Sequence, residues 1–471
     1  MPRFHYERLS DRSANYLASE TPRAFAHASS IQVFEAGPLA REDGGVDMAA
    51  IRRAIEAALH RLPRLRQELL WIPFEQHPVW VDDGNFNLAY HLRHTSLPKP
   101  GGFAQLEEMA ARIMAQRLDR ARPLWECWVL EGLEGGRFAL LMKTHHCMID
   151  EAGADLLEVL LSTNPETSEP EARSFTPRPP PSIRELMVEE LLQQARLPRS
   201  ALERLRRLAA DPDQLARQLR AQATSAAELL GYTLRPAMDT PLNGLIGPHR
   251  RFKGISVSLD DARAIRRALQ GKMVDVILST VAGALRGYLE QHLVSPSAVD
   301  FRVGTPVGLA AGRSGERMTE WIIELPVWEK DPVARFRQVR EATRKQADSR
   351  SAVPARMLLD GETWFGSRLL SLGARTLESH TPVNMTVINA PGTQVPLFFE
   401  GARLLETYGQ VPLRDDHGLG IAVMSYDGRL FFGLNADFDL VPDLDFFGEA
   451  LERSFEELRR AAGAAQAPGP D

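Results

Sequence analysis

Two adjacent histidines and an aspartate follow a short apolar run in RFALLMKTHHCMID, residues 137–150. A histidine with a pKa near neutrality can take a proton from an attacking hydroxyl and later deliver it to a leaving group. The apolar run is typical of a buried strand, whose end holds an imidazole rigidly while the loop beyond it admits substrate. His145 and His146 are therefore candidates for general-base chemistry of the kind that suits acyl transfer.

Neighbouring side chains on a strand point to opposite faces, so only one of the two histidines should face a reaction. Asp150 lies four residues beyond His146, and its carboxylate could orient the imidazole or form a structural ion pair that shapes the loop. We favour the structural role. Arg64 and Arg66 are candidate partners for Asp150, and Arg66 is our choice.

Three other interpretations of these residues stay open. A His-His pair is often only a packed strand end. His145, His146 and Asp150 offer three metal ligands in principle, but adjacent strand histidines diverge and no fourth ligand stands at a familiar spacing, so we expect no metal. Cys147 could act as a nucleophile, although nothing in the sequence indicates a lowered pKa of its thiol.

The elements that position the histidines can be predicted from periodicity. ECWVLEG and RFALLMKTH flank a short LEGG connection, which predicts an antiparallel hairpin with the histidines at its downstream end. Upstream, apolar residues at helical spacing predict a helix over about 46–62. Downstream, a leucine stripe over 156–161 predicts a second helix, which Asp150 could cap.

At 471 residues the chain exceeds what one hydrophobic core usually supports, so we expect two domains. A net charge of -6 gives no general basic surface, so nucleic acid is not predicted as a partner. Two cysteines are too few for a disulfide framework, which fits a reducing compartment. The N-terminus lacks an apolar secretory core and the apolar segment 274–285 is too short to cross a bilayer, so we predict a cytoplasmic protein.

The chain divides into two halves and a connector. Residues 164–182 are rich in proline and polar residues, which indicates an extended linker. Residues 183–234 have helical character and many arginines, typical of a solvated bridge or of an interfacial helix on anionic lipid. Strand and helix signals resume near residue 250 in a second α/β unit. We therefore expect halves at 1–163 and 250–471, with the connector at 164–249.

A faint internal repeat links the two halves. The stretch GRF at 136–138 opens the strand before the histidines, and GRL at 428–430 opens RLFFGLNADFDL before another helix. Counting equally from the two arginines places Asp437 opposite His145. The repeat predicts that only the first half carries the histidine pair.

With HHxxxD present at 145–150, the chain resembles the bacterial wax ester synthase and diacylglycerol acyltransferase family. Condensation domains of peptide synthetases share this short pattern, so further segments are needed to discriminate. Other blocks look like those of the family, occur in its order and extend the similarity over nearly the whole chain. These blocks are PLWE at 123–126, TPLNG at 240–244, GPHRRF at 247–252, VDVILSTVAGALRGYL at 274–289 and NAPG at 389–392.

The resemblance implies the α/β (α+β) two-domain fold of CoA-dependent acyltransferases, also found in condensation domains. Each half would be a mixed sheet with helices, and the active site would lie in a tunnel between the halves. The resemblance further implies that His146 deprotonates a fatty alcohol or diacylglycerol, whose oxygen attacks the thioester of acyl-CoA. No cofactor or covalent enzyme intermediate is required, because the thioester is already activated. Asn389 is a candidate for oxyanion stabilisation.

Some positions differ from the family pattern. Glu151 stands where the family motif has a glycine. Glutamate resists the backbone conformation that glycine allows, and its charge could raise the pKa of His146. Asp275, the acidic residue kept in the VDVIL block, is expected to support the structure. The differing positions are Glu151 for glycine, Val274 for asparagine, Ile388 for serine and Ser13 for aspartate.

Together these features predict an acyl-CoA-dependent O-acyltransferase that makes triacylglycerol or wax ester, with peripheral contact to a membrane or lipid body. Arg250, Arg251 and Glu151 are the candidate substrate and CoA contacts, and the arginines are basic enough to meet CoA phosphates. A solvated turn is the plain alternative for the arginines. Two other functions stay open: a catalytically silent lipid-binding protein, which Glu151 supports, and a condensation-type enzyme with another acceptor.

Overall fold

The computed structural model gives the chain two large mixed β-sheets, each with its own helices, and a small third sheet. The expected fold class, with two halves each built on a mixed sheet, is thereby confirmed. The structure describes residues 6–72, 78–148, 156–166, 175–182, 184–186, 237–309, 317–348 and 382–466.

The first sheet combines strands from the early and the late parts of the chain. Its strands, from edge to edge, are β12 (Phe398–Phe399), β13 (Ala402–Gln410), β2 (His27–Glu35), β7 (Arg137–His145), β6 (Trp125–Leu133) and β5 (Leu92–Ser96). Strands β6 and β7 form the predicted antiparallel hairpin, with Trp125 opposite Thr144. Strand β5 runs parallel to β6, so the sheet is mixed. The central position of β7 explains its nearly continuous burial.

Helices cover this sheet with their apolar faces. The predicted helix over 46–62 is present as α2 (Met48–Ala58), which begins where the Asp47 side chain accepts from the amides of Ala49 and Ala50. Ile51 and Ile55 are buried in the core of this half. The other helices of the first half are α1 (Asp11–Ala18), α3 (Leu88–His91), α4 (Phe103–Ala115) and α5 (Leu156–Leu160).

A small third sheet lies beside the first half, with β4 (Pro78–Asp82) between β1 (Glu7–Arg8) and β3 (Gln67–Trp71). Arg178 in the proline-rich stretch donates to Asp82 at 2.8 and 3.0 Å. Residues 175–182 contain neither helix nor strand. The predicted helical segment at 183–234 falls largely outside the described residues.

The second sheet is also mixed. From edge to edge it consists of β10 (Arg317–Leu325), β9 (Phe301–Leu309), β11 (Met385–Pro391), β14 (Leu419–Tyr426), β15 (Arg429–Asp437) and β8 (Arg250–Ser258). Strand β11 runs parallel to both of its neighbours. The helices of this half are α6 (Leu259–Ala268), α7 (Met273–Gln291), α8 (Pro332–Asp348) and α9 (Leu444–Gln466). Helix α7 is buried around most of its circumference, which explains its long apolar sequence.

The internal repeat predicted from sequence is present in the strand order. The series β2-β7-β6-β5 and β8-β15-β14-β11 have the same neighbours and the same directions, with one parallel pair at the end of each. His145 ends β7 opposite His27, and Asp437 ends β15 opposite Arg250. The two halves therefore present equivalent strand ends, and only the first has a histidine pair there.

The halves meet where β13, a strand of the first sheet, crosses the second sheet. A Cβ atom at Gly433 of β15 would lie 1.9 Å from the carbonyl oxygen of Gly409 in β13, so two backbones touch at this point. Beside them, Phe103 of α4 contacts Gly254 of β8. The Glu107 carboxylate accepts from the Gly254 amide at 2.9 Å. The two halves are thus held together by helix α4 of the first half and by β13, a strand from residues 402–410 that joins the first sheet.

Within the described ranges, no individual helix combines the length and apolar character needed to cross a membrane. Helices α6 and α7 pass that test only as a pair, and they are bent by 100° where they meet.

The backbone contact between β13 and β15 predicts a large effect of a single methyl group. Gly433→Ala would force the two strands apart and should lower the free energy of unfolding by about 3 kcal/mol. Gly463→Ala is the control, because a Cβ atom at this position of α9 meets nothing within 4 Å. Urea unfolding measures both variants; a Gly433→Ala value within about 0.5 kcal/mol of the natural protein would contradict the contact.

Candidate active site

The two histidines lie at the end of β7, as predicted, and their surroundings differ. The backbone N–H of His145 donates to the carbonyl of Leu124 at 3.0 Å, and that of His146 donates to the carbonyl of Ala26 at 2.8 Å. Residues 146–148 then begin a helical turn. His145 is 1% exposed, whereas His146 is half-buried. His146 is therefore the one of the pair that retains access to a reactant.

An aromatic ring fixes one face of the His146 imidazole. Tyr16 of α1 stacks on it with the ring centroids 4.8 Å apart and the planes inclined by 24°. Such an offset stack limits rotation of the imidazole without using its nitrogen atoms. Helix α1 is held by its own cap, in which Ser10 accepts from the Ser13 amide at 3.1 Å.

His145 lies in a buried polar cluster. Its Nε2 is 3.1 Å from Glu20 Oε1, and its Nδ1 accepts from the backbone N–H of Cys147 at 3.1 Å. His27, the cross-strand neighbour, has its Nε2 at 3.6 Å from the same Glu20 oxygen. We call Glu20, His27, His145, Arg117 and Arg120 the Glu20 cluster.

Glu20 is charged although its side chain is only 1% exposed. Burial works against the charge, but hydrogen bonds from His145 and Arg120 outweigh it and lower the pKa of Glu20 to about 2. Arg120 lies 2.6 Å and Arg117 3.5 Å from Oε2. Oε1 also accepts from the Ala26 amide at 3.0 Å. The carboxylate is thus surrounded by donors on both oxygens.

Two more ionisable side chains, those of Lys143 and His27, influence the charge around Glu20. Burial and the charge of Lys143 lower the pKa of His27 well below its usual value, so His27 is neutral. Burial lowers the pKa of Lys143 to about 8. The Lys143 ammonium donates to the carbonyl of Ile113 at 2.9 Å and to that of Gln116, at the C-terminal end of α4, where a cation is favourable.

The predicted partners of the histidines are only partly described. Asp150 and Glu151 lie outside the described residues, so their roles stay predictions. Arg66 ends the helical turn Pro63–Arg66, and its guanidinium lies 4.0 Å from the centre of the Phe175 ring. Burial lowers the pKa of Arg66. Its pairing with Asp150 is untested.

The other predicted supports lie in the second half. Asn389 is half-buried on β11, level with Val423 of β14, and so belongs to a different sheet from His146. Asp275 is 1% exposed near the start of α7. It accepts from the Lys272 amide and from the Thr343 hydroxyl, both at 2.6 Å, and so ties α7 to α8. A residue that supports the structure is expected to make such contacts between helices, and this role of Asp275 stays a prediction.

The prediction that Arg250 binds CoA phosphates does not agree with its environment. Arg250 is 8% exposed. Its guanidinium donates to three backbone carbonyls, those of Gly247 at 2.7 Å, His249 at 2.8 Å and Arg23 at 2.5 Å. It also faces Asp437. Because these contacts occupy the guanidinium, Arg250 fits a structural role.

Arg251 is more accessible than Arg250. It is half-buried, donates from Nε to the Phe438 carbonyl at 3.1 Å and lies 3.8 Å from the centre of the Phe438 ring. Its terminal nitrogens have no hydrogen bond to a described residue. Arg251 therefore remains a candidate for an anionic group.

The described part of the chain bears on two alternatives to base catalysis, a metal site and a cysteine nucleophile. No cluster of three or more His, Cys, Asp or Glu side chains there could hold a metal ion. Cys147 is fully buried. Burial in apolar surroundings disfavours a thiolate, so this environment does not support a nucleophilic role.

Six residues of the site were not predicted from the sequence: Tyr16, Glu20, His27, Arg117, Arg120 and Lys143. Glu20 is 125 positions from His145 in sequence, and no short spacing could have joined them. Lys143 could have been noticed as a charge inside an otherwise apolar strand, since a lysine is rarely buried there without a partner.

The Glu20 charge predicts a pH-dependent stability. Its pKa is about 2 in the fold against 4.5 as the ordinary value, so its contribution is complete above pH 4.5 and is lost as the pH falls towards 2. Glu20→Gln should cost roughly 3–5 kcal/mol at pH 7, since a buried charge loses its partner. Urea unfolding should give a smaller difference between variant and natural protein at pH 3, and a difference that grows on acidification would contradict this.

Family models match most of the chain. The wax ester synthase/diacylglycerol acyltransferase catalytic domain matches residues 9–277, and the WS/DGAT C-terminal domain matches residues 314–459. A Mycobacterium tuberculosis H37Rv protein named "Putative diacyglycerol O-acyltransferase" is 31% identical over 472 residues, covering 96% of this chain and 90% of its own. A second protein of that strain, named "Probable diacyglycerol O-acyltransferase", is 31% identical and covers 88% of each chain.

Solved structures agree on the fold. The wax ester synthase/diacylglycerol acyltransferase from Marinobacter aquaeolei VT8 matches with a TM-score of 0.67 at 24% identity, over 97% of this chain and all of the other. The starter condensation domain of rhizomide synthetase, in complex with C8-CoA, matches with a TM-score of 0.55 at 14% identity, over 99% and 97%. At these identities the likeness shows the fold alone, that of CoA-dependent acyltransferases. From the family matches and the mycobacterial relatives, this chain belongs to the wax ester synthase/diacylglycerol acyltransferase family.

Proposed function

We propose that the protein transfers a fatty acyl group from acyl-CoA to diacylglycerol or to a long-chain alcohol. The observation that carries the proposal is the placement of His146: half-buried at a strand end, stacked on Tyr16 and held by its backbone to Ala26. A base must be reachable yet held still, and this placement meets both needs.

In the proposed reaction His146 takes the proton of the acceptor hydroxyl. The oxygen then attacks the thioester carbonyl, and a tetrahedral oxyanion forms. When the C–S bond breaks, the imidazolium returns the proton to the departing sulfur, so ester and free CoA are released and the enzyme is unchanged. Asn389 or a backbone N–H would stabilise the oxyanion.

Membership of the family supports acyl transfer, and the names of the mycobacterial relatives support diacylglycerol as the acceptor. The C8-CoA bound by the related condensation domain supports acyl-CoA as the donor. We propose that an apolar tunnel between the halves receives the acyl chains. We further propose a cytoplasmic protein that contacts a membrane or lipid-body surface to collect its substrates.

The proposal predicts a strong dependence on His146. With radiolabelled palmitoyl-CoA and either dioleoylglycerol or hexadecanol, the purified protein should form labelled ester. His146→Ala should lower kcat by roughly 100- to 10,000-fold, because the hydroxyl loses its base.

His94→Ala is the matched control, since His94 is exposed on β5 of the same sheet and pairs with Glu131 instead. It should keep the full rate. Equal rates for His146→Ala and the natural protein would exclude His146 as the base. Bound lipid without product for any acceptor would favour the catalytically silent function.

Arg251 is the remaining arginine proposed to meet CoA phosphates. Arg251→Ala should raise KM for palmitoyl-CoA several-fold with little change in kcat, because a partly exposed cation contributes binding rather than chemistry. Arg263→Ala on α6 is the control, since its guanidinium pairs with Asp260. An unchanged KM for Arg251→Ala would remove Arg251 from the CoA contacts.

A further inference from the structure

The contacts of His145 select one tautomer. Its Nδ1 accepts the Cys147 N–H at 3.1 Å, so Nδ1 carries no proton. The ring proton is therefore on Nε2 and is donated to Glu20 Oε1 at 3.1 Å. A carboxylate that accepts from one ring nitrogen fixes both the tautomer and the orientation of an imidazole.

A second chain of hydrogen bonds connects Glu20 to the helical turn that begins at residues 146–148. Its Oε1 accepts from the Ala26 amide at 3.0 Å, and the Ala26 carbonyl accepts from the His146 amide at 2.8 Å. Two chains of hydrogen bonds thus start at the Glu20 carboxylate. One ends at the backbone N–H of His146 and the other at the backbone N–H of Cys147. The Cα atom of His146, which bears the imidazole, lies between these two backbone amides.

We propose that Glu20 is a positioning residue of the acyl-transfer site, which acts through His145 and Ala26 to hold the turn that carries His146. The inference rests on the proposed function, in which His146 is the base. Glu20 itself touches no reacting atom. Among the described residues, Arg117, Arg120, His27 and His145 lie within 3.6 Å of its carboxylate, and the charge of Lys143 interacts with it at longer range.

Replacement of the carboxylate by an amide tests this role. Gln has nearly the shape of Glu, but its NH2 group must face either the arginines or the His145 and Ala26 donors, so one set of contacts is lost. Because a displacement of about 1 Å can cost about 100-fold in rate, Glu20→Gln should lower kcat at least about tenfold. KM for palmitoyl-CoA and for the acceptor should change less than about twofold, since the substrate contacts remain.

Glu131→Gln is the matched control. Glu131 also faces a histidine, His94 at 3.0 Å, and accepts from a backbone amide, that of Val46 at 3.2 Å. It lies near the end of β6 remote from the His145 end of β7. This variant should keep kcat, and an equal loss in both variants would show a general effect of removing a glutamate–histidine pair.

Two substitutions of His145 test the route through the imidazole. Asn places an amide oxygen near the position of Nδ1 and can accept from Cys147, whereas Gln places its amide near Nε2 and keeps only the Glu20 contact. His145→Asn should therefore retain more kcat than His145→Gln. Combined with Glu20→Gln, the Asn variant should lose less than the product of the two separate losses. Independent losses would overturn the proposal. The reverse order of the two His145 variants would also overturn it, and that order can be measured even if Glu20→Gln fails to fold.

Hydrogen exchange separates this inference from the proposed function, because it needs no turnover. In the full-length protein, a peptide that spans residues 140–148 should exchange faster in Glu20→Gln than in the natural protein or in Glu131→Gln. Faster exchange without ester formation by the natural protein would uphold the positioning role and reject the reaction. Ester formation with unchanged kcat and exchange in Glu20→Gln would reject the positioning role alone.

Discussion

Glu20 carries a buried negative charge at the point where β2 begins and β7 ends. A carboxylate cannot stay ionised in such a place unless donors surround it. Here two arginines, His145 and one backbone amide donate to Glu20, and His27 lies 3.6 Å away. These groups come from three parts of the first half. The same charge therefore draws together the segment before β2, the loop after α4 and the end of β7, and the position of His146 follows from where these meet.

The second half offers a comparison within the same chain. At the equivalent strand end Asp437 replaces His145, and its carboxylate accepts from the amides of Gly247, Asp439 and Leu440. Arg250 stands opposite it where His27 stands in the first half. Both halves thus use a buried carboxylate to fix the loops at this end of the sheet. In the first half, the imidazole of His145 lies between the Glu20 carboxylate and the turn at residues 146–148. His146 is then presented as a half-buried base on that turn.

Much of this arrangement was open to prediction, and the reasons differ by residue. The hairpin that ends at the histidines follows from two strand-like runs on either side of a short LEGG connection, and the repeat between the halves follows from counting along two strands. The resemblance supplied the fold and the choice of His146. The burial of Arg250 could not be foreseen, because a cluster of basic residues in a sequence gives no sign of burial. Glu20 was missed because Arg117, Arg120 and His145 lie 97 to 125 residues away from it, and such contacts leave no periodic signal in a single sequence.

The central claim is that one carboxylate fixes the tautomer of His145 and thereby the turn that presents His146. Nitrogen NMR of the protein labelled at histidine, with the His145 signals assigned by their loss in His145→Asn, reports that tautomer directly. His145 should carry its proton on Nε2 with Nδ1 bare, and Glu20→Gln should shift this balance. A proton on Nδ1 in the natural protein, or a tautomer unaffected by Glu20→Gln, would contradict the claim.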